Sequence, residues 1–242
     1  MTSLGPYHQL LLPLSRFCMK SWISLLLVAY AGNLGAGIAG TKHDLSGTGA
    51  GTAKTTNVNQ ICVFCHTPHN AAVGANRTIP LWNKTNIPST GFTMYNQTTV
   101  PGSNLQGVVD ATPNNPSLVC LTCHDGTQAV GNVINLPSGI TAVQYPAANS
   151  SMDANGRLIG AGLVGRDLTN DHPISITYPS NDTRFVAKAT ILGLTNSVKL
   201  FGPLGSEKVE CSSCHDAHDN TNPPFLRVSA TNSALCVACH IM

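Results

Sequence analysis

The sequence predicts a mostly irregular chain, with short helices and a few short strands wrapped around bound groups in place of a conventional core. Three observations predict it. Phe, Trp and Tyr number only 13 in 242 residues, too little aromatic bulk for an ordinary interior. Gly and Pro together number 37, which breaks up long regular elements. Eight of the nine cysteines fall into four C-x-x-C pairs, each followed at once by His.

The N-terminus reads as a secretory signal over residues 1–39. Arg16 and Lys20 precede the apolar run Trp22–Ala31, and small residues follow as far as Ala39. That order fits export and cleavage after Ala39, and the run is short for a membrane span. An uncleaved anchor is the alternative. Met19 followed by Lys20 is a second possible start. His8 and Cys18 belong to this targeting region. Without residues 1–39 the chain has 11 basic and 11 acidic residues, a formal net charge of zero. It carries no basic stripe of the kind nucleic acid needs, and low net charge favours self-association. No stable membrane insertion is expected of the mature chain.

The four motifs are Cys62-Val63-Phe64-Cys65-His66, Cys120-Leu121-Thr122-Cys123-His124, Cys211-Ser212-Ser213-Cys214-His215 and Cys236-Val237-Ala238-Cys239-His240. C-x-x-C-H is the attachment signature of c-type haem. Two thiols three positions apart share one side of a helical turn and can form thioethers with the two vinyl groups of a porphyrin. The adjacent His then ligates the iron from the proximal side. Redox disulfides and zinc knuckles are the rivals, and neither has a reason to place His after every second Cys. The expected cofactor set is four covalently bound haems c, with His66, His124, His215 and His240 as proximal metal ligands.

Nine histidines less four proximal ones and His8 leaves His43, His69, His172 and His218, four for four haems. This equality predicts bis-histidine ligation throughout. Such irons exchange electrons, whereas an open sixth position would allow substrate chemistry. The expectation is therefore an electron-transfer protein and not an enzyme, with no catalytic residue. A multihaem reductase with an open haem is the less favoured reading. His69 and His218 each lie three residues beyond a proximal His. Neither can wrap to the far face of the haem beside it, so each is expected to serve a different haem, the next along the chain.

The ligands recur in two sets. His43, motif one, His69 and motif two fall within residues 40–145, and His172, motif three, His218 and motif four within 146–242. These two dihaem halves are expected to form one integrated tetrahaem domain. Residues 46–60 and 96–117 read as irregular. The runs Ile174–Tyr178 and Phe185–Ile191 read as short strands.

With Thr41-Lys42-His43-Asp44-Leu45-Ser46-Gly47, Cys65-His66-Thr67-Pro68-His69-Asn70 and Asn170-Asp171-His172-Pro173 added to the motifs, the chain resembles the OmcE-like tetrahaem cytochromes, which polymerise into cell-surface nanowires. The resemblance spans nearly the whole mature chain. It implies a multihaem cytochrome c fold around a continuous haem chain and head-to-tail self-assembly, a heterologous contact that leaves an open filament. It also implies an extracellular or cell-surface location, with other redox cytochromes and extracellular electron acceptors as partners, and a histidine ligating a haem of the next subunit. His43 is the expected residue for that role. A soluble periplasmic shuttle is the alternative.

Overall fold

The structure, a computed structural model, describes residues 37–72, 79–85, 87–194 and 197–242. The expected signal lies almost wholly outside the described residues. Residues 37–242 form one compact unit. Regular structure is sparse within it. A 3-10 turn, Ile61–Phe64, is followed by α1 (Asn115–His124), β1 (Ile176–Thr177), α2 (Lys188–Gly193), β2 (Lys208–Val209), α3 (Cys211–Cys214) and α4 (Ala234–Val237), with two more three-residue 3-10 turns between. Among the described residues no helix is long and apolar enough to cross a membrane.

Most of the regular elements carry haem motifs. The first motif lies on the 3-10 turn, the second ends α1, the third spans α3 and the fourth runs out of α4. Helix α1 has Pro116 in its first turn, where the missing N–H costs nothing. It stops at Gly126, whose φ of +76° is the left-handed conformation that ends helices and suits glycine. Helix α3 is only one turn long. It is held by a capping box, in which the Ser213 hydroxyl accepts from the Glu210 N–H and the Glu210 carboxylate reaches the Ser213 backbone.

Strands β1 and β2 pair antiparallel, Ile176 opposite Val209 and Thr177 opposite Lys208. Pairing goes no further along the predicted run because Pro173 and Pro179 bracket it and proline has no N–H for a ladder. The second predicted strand is corrected by the structure. Phe185 and Val186 are extended, bridging to His240 and donating to the Cys239 carbonyl, but the chain turns into α2 at Lys188. Lys188, Ala189 and Leu192 are good helix formers, and the turn drops Ile191 into a cluster with Tyr178 and Val198.

Apolar packing is divided among three small clusters. Phe64, Val58, Val130 and Met152 anchor the first, Leu121, Leu118 and Met94 the second, and Tyr178, Ile191 and Val198 the third. Buried polar side chains join the segments between them. Asn83 has no exposed surface. Its Nδ2 donates to the Val63 carbonyl at 2.7 Å and the Asn135 carbonyl at 2.9 Å, and its Oδ1 accepts from the Asn135 N–H at 2.9 Å. Asn83→Leu would orphan these groups at about 1–3 kcal/mol each. We expect a clear loss of thermal stability at unchanged haem content, read by circular dichroism melting, and an unchanged melting temperature would contradict this account.

Candidate haem and electron-transfer site

The motif cysteines follow one another in space as in sequence. Cys65 feels the charge of Cys123, the Cys120 and Cys211 thiols are hydrogen-bonded, Cys214 feels Cys236, and Cys239 feels Cys214. None of the eight forms a disulfide. Burial pushes the Cys65 thiol up to about 12 and the Cys239 thiol up to about 11. These surroundings favour an uncharged sulphur, which is what a thioether presents. The second and third motifs are joined directly: the Ser117 hydroxyl accepts from the Cys211 N–H at 3.0 Å and donates to Glu210 at 2.5 Å. The two sequence halves therefore share an interior.

The histidines fall into pairs. The ring centroids of His43 and His124 are 6.2 Å apart, those of His66 and His218 are 6.1 Å apart, and those of His172 and His240 are 6.4 Å apart. A metal–imidazole bond is about 2.0–2.1 Å, so two imidazoles on opposite sides of one metal have centroids about 6 Å apart. All three pairs match that spacing, and each joins one proximal histidine to one of the four additional ones. Neither His69 nor His215 has a ring partner at such a distance among the described residues. No three His, Cys, Asp or Glu side chains of the described residues converge as a zinc cage would require.

Backbone carbonyls orient the rings. Nδ1 of His66 meets the Pro80 carbonyl at 2.7 Å, Nδ1 of His124 the Gly162 carbonyl at 2.6 Å, and Nδ1 of His215 the Pro224 carbonyl at 3.0 Å. Nδ1 of His172 lies 3.0 Å from the Pro173 carbonyl. A proton held on Nδ1 leaves Nε2 as the metal-binding atom. Burial and the neighbouring His124 push His43 down to about 4, and burial lowers His124 and His240. The neutral ring is the ligating form.

Two rings are turned otherwise than expected. His43 is turned into its own chain. It stacks on Phe225 at 4.2 Å, hydrogen-bonds the Ala217 backbone and faces His124 of its own chain. The turn closed by Asp44 and Ser46 directs it inward. His218 is not turned toward the next motif along the chain. It faces His66 of the first, because the loop after α3 folds back to the start of the body.

Sequence reasoning missed the residues that aim these rings. Phe225, buried with a φ of +59°, backs His43. Phe185 lies 4.7 Å from His240. Tyr178 donates from its hydroxyl to the Val186 carbonyl at 2.7 Å and the Cys239 carbonyl at 3.2 Å, fixing the fourth motif. One signal was present. Three of the four carbonyls that meet a histidine Nδ1 belong to prolines, Pro80, Pro173 and Pro224.

The residues present suit covalent haem. Thiol pairs sit on single turns, each followed at once by a histidine. The Trp82 indole N–H beside His66 and the Ser212 hydroxyl inside the third motif are buried without a partner, as befits positions next to a group the polypeptide does not supply. Repeated attachment motifs on a coil-rich body define a multihaem c-type cytochrome, a protein of electron transfer that binds haem c covalently. The family model for the doubled CXXCH motif matches residues 202–241, which hold the third and fourth motifs. No curated protein matches the chain.

Proposed function

We propose that the chain carries four bis-histidine haems and conducts electrons as one subunit of an extracellular head-to-tail filament. When bound, each haem supplies an iron couple that takes up and returns one electron. The polypeptide tethers it through Cys62 and Cys65, Cys120 and Cys123, Cys211 and Cys214, or Cys236 and Cys239. His66, His124, His215 and His240 ligate from the proximal side. His218, His43 and His172 are the distal ligands of the first, second and fourth motifs, and His69 that of the third.

The observation that carries the filament is the pair left over. In each half the leading histidine faces the second motif of its own half, His43 with His124 and His172 with His240. The histidine after the first motif of the second half, His218, faces the opposite half at His66. The same rule sends His69 to a His215. Since His69 and His215 of one chain are not ring partners, the rule is completed between copies. A His69 of one copy supplied beside His215 of the next is a heterologous contact, and such contacts generate an open array when they do not close. The resemblance to nanowire cytochromes supports the same reading. Other redox cytochromes would load electrons, and minerals, electrodes or partner cells would receive them.

Negative-stain microscopy and a CO difference spectrum of the purified native protein test this together. Filaments whose reduced haems bind little CO are expected. Monodisperse single chains that bind CO at about one haem in four would overturn the polymer and favour a periplasmic shuttle or a reductase with an open haem.

A further inference from the structure

Five acidic or basic side chains are buried among the described residues: Asp44, Lys84, Asp125, Glu207 and Glu210. Two of them are neutralised, Asp125 by Arg166 at 3.0 Å and Glu207 by Lys188 at 2.6 Å. The remaining three have no oppositely charged side chain of the described residues within 4.0 Å. They are not of one sign, and they are not scattered.

Lys84 is 1% exposed. Its Nζ donates only to carbonyl oxygens, Val130 at 2.8 Å and Asn132 at 3.4 Å. Its neighbour Asn83 donates its N–H to the Cys65 carbonyl at 2.9 Å, which ties this segment to the first motif, and the Lys84 charge is felt at the Cys65 sulphur. Glu210 is 2% exposed. It accepts from Asn114 Nδ2 at 3.0 Å, Ser117 Oγ at 2.5 Å and Ser175 Oγ at 3.0 Å. It directly precedes Cys211 and caps the helix of the third motif. Neutral dipoles satisfy both groups without cancelling either charge. Arg227 also touches the third motif, donating to the Ser212 carbonyl, but Asp216 neutralises it at 2.9 Å. Asp44, next to His43, is held by Ser46 and Gly40 and adds negative charge on the side of the second motif.

We propose that Lys84 and Glu210 polarise the haem chain, raising the reduction potential at the first motif and lowering it at the third, so that an electron shared between those two haems rests at the first. A buried cation favours the less positive ferrous iron, and a buried anion favours the ferric. At an effective dielectric of about 20 and a separation of about 10 Å, one unit charge changes the reduced-to-oxidised ratio about tenfold. That is about 59 mV for a one-electron couple. The inference rests on haem attachment at these two motifs and does not depend on filament assembly.

Spectroelectrochemical titration of the full holoprotein tests it, with haem content checked by mass spectrometry. Lys84→Met is expected to lower one midpoint, and Glu210→Gln to raise a different one, each by about tenfold in the reduced-to-oxidised ratio. Lys84→Arg, which keeps the charge, is expected to leave the wild-type midpoints in place. Fully loaded variants whose midpoints do not move, or move in the same direction, would overturn the proposal. Wild-type protein gives a check that needs no variant to fold. In stepwise oxidation followed by paramagnetic NMR, the third-motif haem should oxidise before the first, and the reverse order overturns the proposal. A haem missing from either motif in wild-type protein would instead mark the failure of the attachment reading beneath it.

Discussion

His69→Ala is expected to abolish filaments while leaving four haems attached. Haem attachment depends on the motif cysteines, which this substitution does not touch. The rings of His43, His66 and His172 keep their partners within the chain. What is lost is one iron–imidazole bond at every junction between copies. A non-covalent contact between near-neutral surfaces has then to hold the array alone. Gel filtration should show single chains, and one haem in four should become high-spin and bind CO. His215 is not a useful probe, because its loss also removes a proximal ligand. The comparison that gives the test its force is His43→Ala. It is expected to disturb the second haem inside each chain, opposite Phe225, without ending polymerisation. Filaments persisting in His69→Ala would refute the assignment of the junction.

The chain with all eight motif cysteines changed to Ala is expected to show no cooperative unfolding. Its three apolar clusters each hold only a few buried residues. The longest helix among the described residues is the ten-residue α1, and the paired strands are two residues each. Fixing each residue of a folded chain costs about 1–2 kcal/mol, and elements this short return little of it without tertiary packing. Thioethers at four points also restrict the unfolded chain, as disulfides do. Removing them loses both the large apolar surface of the haem and that restriction. The readout is thermal or urea unfolding followed by circular dichroism, and a sharp transition with native-like signal would contradict the account.

The chemistry was legible because it is written in local spacing. C-x-x-C-H needs only one helical turn to present its groups, and all four motifs lie on or end such a turn. The coil-rich character followed from Gly and Pro in the same way. The segment Phe185–Ile191 was misread because its β-branched and aromatic residues look alike in a strand and in a short helix. Contact with the fourth motif holds Phe185 and Val186 extended, and burial of Ile191 then curls the following turn.

Which imidazole faces which was not legible. His43 lies close in sequence to Cys62, yet it faces His124, and His218 crosses from one half to the other to face His66. The placing of His43 depends on Phe225 and Ala217, far along the chain, closing over a ring that local sequence leaves free to turn. The sequence alone determined the number of C-x-x-C-H motifs and the supply of histidines, since both are set by residue type and short-range spacing. Only the tertiary structure decided the pairing of rings and the burial of Lys84 and Glu210 beside the first and third motifs. Those properties arise where distant segments meet, and distance along the chain carries no record of such meetings.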